Sequence, residues 1–211
     1  MSRSLIVDYS PFSITKQQIN ESRSSNGGRL IVSGVLQRAE VKNHNKRVYP
    51  KEILMREANR YQEELVKQKR ALGELDHPDS PTVNLNNVSH NIIKMWWEGN
   101  ALMGDVHVLT TPAGKILEEL FLNNVQVGIS SRGVGSVKEV FSESGGQISQ
   151  IQDDFELIAF DFVSNPSTHG AFMSPVNESK LIQDINPSLT KAHSIVNSII
   201  CDMGTTCSCK F

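Results

Sequence analysis

The sequence predicts an α+β fold, an antiparallel β-barrel or curled sheet flanked by helices. Runs of β-forming residues dominate the middle of the chain. Neighbouring runs are joined by short connections, which favours antiparallel pairing. Between these runs lie two segments whose apolar residues recur at helical spacing, enough to flank a sheet and too few to form a bundle.

The elements follow in order. Residues 1–28 are polar and end in Ser22-Arg23-Ser24-Ser25-Asn26-Gly27-Gly28, the composition of a flexible leader. Residues 30–36 are a compact apolar run and predict a buried strand. Asn43-His44-Asn45-Lys46-Arg47 is a polar loop, and Pro50 suits the first turn of a helix. Ile53, Leu54, Ala58, Tyr61, Leu65 and Val66 share one helical face, so the helix should span 50–68. Residues 73–90 are rich in Pro, Asp, Asn and Ser and read as loop. Residues 92–97 and 101–109 predict a hairpin around Glu98-Gly99-Asn100. A second helix is expected at 112–123, with Ile116, Leu117, Leu120 and Phe121 on one face. Strands are predicted at 125–131 and 134–140, joined near Gly133. After a flexible turn at 142–147, another strand is expected at 155–163. From Pro166 the pattern is lost until a short helix at 189–202. The organisation expected is a leader (1–28), a folded domain (29–175) and a C-terminal extension (176–211).

Composition excludes several classes. Hydrophobic content of 38% and charged content of 21% suit a globular protein. A net charge of −2 gives no electrostatic reason to expect nucleic acid or an anionic membrane as partner. No apolar run approaches the roughly 20 residues that span a bilayer, and Leu5-Ile6-Val7 is too short for a secretory signal, so folding in a cytoplasm is expected. Cys201, Cys207 and Cys209 crowd the last eleven residues without a nearby fourth metal ligand, which reads as free thiols in a reducing compartment.

Common catalytic signatures fail. There is no H-E-x-x-H and no phosphate-binding G-x-x-x-x-G-K-[ST] loop. Gly128-Ile129-Ser130-Ser131-Arg132 has arginine where a nucleophile elbow needs its last glycine. Two segments remain. In Gly73-Glu74-Leu75-Asp76-His77-Pro78 a histidine sits in a proline-bounded loop, where it could take and return a proton near neutral pH. In Gln126-Val127-Gly128-Ile129-Ser130-Ser131-Arg132-Gly133 two hydroxyls end an apolar strand between glycines, which allow close backbone approach to a substrate. A serine needs an adjacent base to act as nucleophile. The chain offers one segment of each kind.

At these two segments the sequence resembles the prohead core protein protease family of large tailed phages with contractile tails. Four blocks carry the resemblance, in order. They are Gln37-Arg38-Ala39-Glu40-Val41-Lys42-Asn43-His44-Asn45-Lys46-Arg47-Val48-Tyr49-Pro50, Ala71-Leu72-Gly73-Glu74-Leu75-Asp76-His77-Pro78, Met95-Trp96-Trp97-Glu98-Gly99-Asn100, and Gly128-Ile129-Ser130-Ser131-Arg132-Gly133-Val134-Gly135-Ser136. The resemblance they carry covers roughly 30–170, leaving the leader and the last forty residues outside. The resemblance implies a herpesvirus-protease-like fold and a serine endopeptidase that cleaves scaffold and major capsid proteins inside the prohead, in the host cytoplasm. Neither cofactor nor metal is implied, and no nucleic acid or membrane partner.

The resemblance also implies site residues: His77 as general base and Ser130 as nucleophile, with Ser131 the rival that alternation turns to the opposite face. For the third member Asp161 is favoured, since a carboxylate between Phe160 and Phe162 is expensive to bury without a partner such as a histidine N–H. Asp153, Asp154, Glu156 and His169 are the alternatives. Backbone N–H groups around Arg132 and Gly133 are the oxyanion candidates, with the Arg132 side chain helping to orient them. Trp96 and Trp97 read as packing at the hairpin. The family's preference for an aliphatic residue, any residue, then glutamate marks Ile19-Asn20-Glu21 as a self-cleavage candidate, after Glu21, though Leu72-Gly73-Glu74 and Leu117-Glu118-Glu119 fit the same pattern. The rival reading is a non-enzymatic head component that keeps the fold.

Overall fold

A computed structural model describes residues 4–12, 16–78, 80–125, 127–141, 147–164 and 173–175. It is a mixed α+β arrangement of three sheets with few helices. The predicted helix at 189–202, His169 and the three cysteines lie outside the described residues. Among the described residues no helix is long and apolar enough to cross a membrane.

The stretch read as a flexible leader forms two elements instead. Strand β1 (Ser4–Phe12) pairs antiparallel with a central strand, β7 (Val127–Gly135), from Ser4↔Gly135 to Phe12↔Val127. Helix α1 (Lys16–Ser25) buries Ile19 and Ser22. The Ser22 hydroxyl donates to the Ile31 carbonyl at 2.8 Å and accepts from the Ile31 N–H at 3.1 Å, tying α1 to β2 (Leu30–Arg38). A polar sequence is thus held by tertiary pairing, which composition does not register.

After β2 come the short β3 (Arg47–Val48) and helix α2 (Lys51–Tyr61), which runs into a π-helical turn at Gln62–Val66. The predicted 73–90 loop is interrupted by β4 (Leu72–Glu74) and gives way at Val88 to β5 (Val88–Glu98). The hairpin is as expected: β5 turns at Gly99, in the left-handed region at φ 60°, into β6 (Ala101–Val108). Trp97 packs on the core and Trp96 hydrogen-bonds Glu98. Helix α3 (Pro112–Leu122) is capped by Thr111, whose hydroxyl accepts from the Gly114 N–H at 3.1 Å.

Gly133 does not divide the next region. β7 continues to Gly135, and the break comes before β8 (Val137–Phe141). Gly133 and Gly135 serve close approach instead: a Cβ on Gly133 would lie 2.5 Å from the Phe155 ring. Then follow β9 (Gln147–Ile151), β10 (Glu156–Val163) and β11 (Met173–Pro175).

The sheets run β1-β7-β10, β11-β2-β6-β5-β4 and β3-β9-β8. Among the described strands every ladder is antiparallel except that of β3 with β9. The first two meet where Leu75 bridges Phe162 and the Asp76 N–H donates to the Phe162 carbonyl at 2.7 Å. No closed barrel forms among the described residues. One core, including Leu54, Tyr61, Ile92, Phe121, Phe160 and Phe162, lies beneath them. Tyr61 and Phe160 meet edge to face at 5.6 Å, and Phe121 and Phe162 at 5.7 Å.

One irregularity positions the site. Between Leu157 and Ala159, β10 gains a residue against β7. Leu157 faces Gly133, so an unbroken ladder would set Phe160 opposite Ser130. The bulge sets Asp161 there. Helix α2 supports it, since Glu57 accepts from the Leu157 N–H at 3.0 Å and Arg60 donates to the Leu157 carbonyl at 2.6 Å. Two backbone groups at the bulge thereby find partners.

Candidate active site

Asp161 and Ser130 are directly paired residues on neighbouring strands, so their side chains share one face of the sheet. Arg132, two residues on, joins that face, while Ser131 and Phe160 occupy the other. His77 arrives from the loop after β4. Asp76, at φ 70°, turns the chain back over β10, and its carboxylate accepts from the His77 N–H at 2.9 Å. Asp tolerates this left-handed conformation better than most residues.

His77 Nδ1 lies 2.8 Å from Asp161 Oδ2. With Asp161 ionised, the ring donates from Nδ1, which leaves Nε2 as an acceptor. His77 Nε2 and Ser130 Oγ are both buried and have no hydrogen-bond partner. Ser131 is otherwise engaged: its Oγ accepts from Gln37 Nε2 at 2.9 Å. The rival serine is therefore a core contact to β2.

Asp161 is fully buried and accepts three further hydrogen bonds. Arg132 Nε donates to Oδ2 at 2.8 Å and Nη2 to Oδ1 at 3.1 Å, and the Glu74 N–H donates to Oδ1 at 2.9 Å. Burial alone would raise the carboxyl's pKa. The His77 hydrogen bond, the Arg132 charge and the Glu74 N–H together outweigh it and hold Asp161 below the usual carboxylate range. The alternatives lie elsewhere. Asp153 pairs with Arg56, Asp154 accepts the Ser136 N–H and hydroxyl, and Glu156 is exposed.

The oxyanion candidates Arg132 and Gly133 lie within the sheet. β7 is paired on both edges at these residues, with Val7 and Ala159 across from Arg132 and with Ile6 and Leu157 across from Gly133. Their N–H groups therefore lie along the sheet rather than toward the face that carries Ser130. The Arg132 side chain is fully buried. Besides Asp161 it holds Glu74 Oε1 at 2.9 Å and the Ser80 carbonyl at 2.7 Å.

Two participants escape the sequence reading, Glu74 and Gln37. Glu74 stands three residues before His77 in the quoted block, and an acid directly after Ala71-Leu72-Gly73 is the available signal. Gln37 gives none, because its role depends on β2 crossing β7.

The profile of the family described as prohead core protein serine protease matches residues 3–181. The chain belongs to this family. The prohead protease match begins at residue 3 and takes in the stretch read as a leader, in keeping with β1 and α1 being part of the fold. The chain is 35% identical over 150 residues to the prohead core protein protease of Enterobacteria phage T4, covering 69% of this chain and 68% of that one. It also superposes on the solved bacteriophage T4 capsid assembly protease, gp21, with a TM-score of 0.63 at 26% identity, over 79% of this chain and 100% of that chain. The protein is thus a protease of the prohead core family, with that protease's mixed α+β fold.

Proposed function

We propose that this prohead protease is a serine endopeptidase that cleaves scaffold and major capsid proteins inside the assembling phage head, in the host cytoplasm, with Ser130 as nucleophile, His77 as general base and Asp161 as the acid behind it. One observation carries the reading: His77 is bound to a buried Asp161 through Nδ1, while His77 Nε2 and Ser130 Oγ are both buried and unpartnered. Family membership and the likeness to the T4 capsid assembly protease support the choice of substrate class.

In the reaction, Ser130 Oγ attacks the scissile carbonyl as its proton passes to His77 Nε2. The imidazolium, balanced by Asp161, returns that proton to the leaving amine. An acyl-enzyme remains, and water, deprotonated by His77, hydrolyses it and restores the serine. Ser130 is buried, so a substrate enters only when the chain around it moves aside.

The preferred sequence is an aliphatic residue, any residue, then glutamate before the cut. Ile19-Asn20-Glu21 fits that pattern within the chain itself. It lies in α1 with Ile19 and Ser22 buried, so self-cleavage after Glu21 requires α1 to unwind first.

The test is cleavage of a peptide with Ile-x-Glu on its acyl side. Ser130→Ala and His77→Ala should each lose at least roughly a thousandfold in kcat, and Ser131→Ala little. Normal cleavage by Ser130→Ala overturns the nucleophile, and an inert wild type overturns the enzymatic reading.

A further inference from the structure

Glu74 takes no part in the reaction as described, yet it is wholly buried beside it. Its Oε1 accepts from Arg132 Nη2 at 2.9 Å and from the Asn84 N–H at 3.0 Å. Its Oε2 is buried without a donor. A buried carboxylate oxygen left unpaired is costly, and an amide could supply the same single acceptor. Packing alone therefore does not explain why the residue is an acid.

Charge does. Asp161 touches Arg132 through both of its oxygens. Those two groups alone would form a neutral pair, and a neutral pair does little to stabilise a neighbouring imidazolium. Glu74, ion-paired with the same guanidinium, leaves one net negative charge on the three groups together.

We propose that Glu74 is a charge-balancing positioning residue of the protease: through Arg132 it keeps the Asp161 side of the site at one net negative charge, so that His77 can accept the Ser130 proton. The proposal rests on the roles given above to Ser130 and His77. When Ser130 Oγ bonds to the carbonyl carbon, its proton moves to His77 Nε2 and the negative charge appears on the substrate oxygen. The resulting imidazolium then brings the sum over His77, Asp161, Arg132 and Glu74 to zero.

Other ionisable groups near this cluster do not supply the missing charge. Tyr61 is pushed up by burial and by Asp161, and stays neutral. His90 is pushed down by burial and stays neutral. Asp76 binds the His77 N–H from the exposed side of the loop. Arg60 is committed to Glu57 and Glu64 on α2 and its following turn.

Glu74→Gln keeps the side-chain shape and an acceptor for Asn84 while removing the charge. The first measurement uses the full chain carrying Ser130→Ala, which cannot digest itself, and follows the His77 ring by NMR as pH is varied. Adding Glu74→Gln should move the His77 titration to lower pH by about one unit, a tenfold loss of imidazolium, as expected for one charge removed at short range in a partly shielded interior. In the active enzyme the same change should lower kcat by about tenfold or more, shift the acid limb of the kcat/KM profile downward and leave KM near its starting value. Unchanged His77 titration and an unshifted profile, with activity falling only in step with Tm, would overturn the proposal. Glu74→Asp covers the case in which the glutamine variant does not fold: it keeps the charge, so His77 should titrate near its original pH, and a downward shift equal to that expected for glutamine defeats the idea. Failure of the serine-protease reading is distinguishable, because it would appear as full activity in Ser130→Ala or His77→Ala whatever Glu74 does.

Discussion

Replacing Asp161 with asparagine separates the two jobs that this carboxylate performs. In the structure Oδ1 accepts from the Glu74 N–H and Arg132 Nη2, while Oδ2 accepts from His77 Nδ1 and Arg132 Nε. An asparagine has one acceptor and one donor end, so either orientation aims an amide N–H at an arginine N–H. If the NH2 replaces Oδ2, it also faces His77 and drives the ring to the tautomer protonated at Nε2, which cannot take a proton from Ser130. If it replaces Oδ1, it meets both the Glu74 N–H and Arg132. The first orientation should cost about ten-thousandfold in kcat, the scale of losing the correct tautomer in a serine triad, and the second still removes the charge that balances the imidazolium. Either orientation breaks a buried ion pair on one side and should cost about 3–5 kcal/mol of stability. Peptide hydrolysis by folded enzyme, corrected for the folded fraction from a urea melt, measures both. Activity within tenfold of wild type in folded protein would refute the assignment of Asp161, since no other acid among the described residues reaches the His77 ring.

Other expected outcomes follow from single contacts. Ser131→Ala strands the buried amide of Gln37, so it should lower stability by about 1–3 kcal/mol while sparing kcat, as read by urea melts and peptide assay side by side. Gly73→Ala would put a methyl group 2.0 Å from the Phe160 carbonyl and 2.3 Å from His90 Nε2, parting β4 from β10; a Tm drop of several degrees and weaker activity are expected, and an unchanged melt would contradict the contact. His90, between Ser89 and the Phe160 carbonyl, is held down at about 4 by burial, against the Asp161 charge and the Phe160 hydrogen bond. The unfolded chain takes up that proton near pH ~6.5 and the folded one only near 4, so stability is full above this window. About 3 kcal/mol should be lost as pH falls through it, and His90→Gln should flatten that slope in urea melts across the range.

Much of the fold was legible because its elements carry their own patterns. The β5–β6 hairpin announces itself by β-forming runs around Glu98-Gly99-Asn100, and α3 by its apolar face and Pro112. The elements missed are those held by partners rather than by pattern. Strand β1 and helix α1 look like leader until β7 and Ile31 are in place. Gly133 looked like a turn because glycine permits one, whereas here the missing side chain makes room for Phe155. The His77 and Ser130 segments stand out by composition, but nothing in the sequence shows that Arg132 pairs with Asp161 and Glu74. Only the bulge in β10, invisible without the neighbouring strand, brings Asp161 and Arg132 onto one face.

The same groups that carry the proposed chemistry also join the parts of the fold. Arg132 on β7 holds Asp161 on β10, Glu74 on β4 and the carbonyls of Ser80 and Thr82 in the loop beyond His77. Glu74 in turn fixes Asn84 at the far end of that loop. The His77 loop is therefore anchored at both ends by buried ions, and α2 secures the arrangement from behind by holding Leu157 at the bulge. A disturbance at Glu57 or Arg60, far in sequence from every candidate catalytic residue, would let β10 slip toward the unbulged register. In that register Phe160, not Asp161, would stand opposite Ser130. Loss of activity in variants of α2 would thus reflect register rather than chemistry, and would leave the α2 surface free of any need to touch substrate.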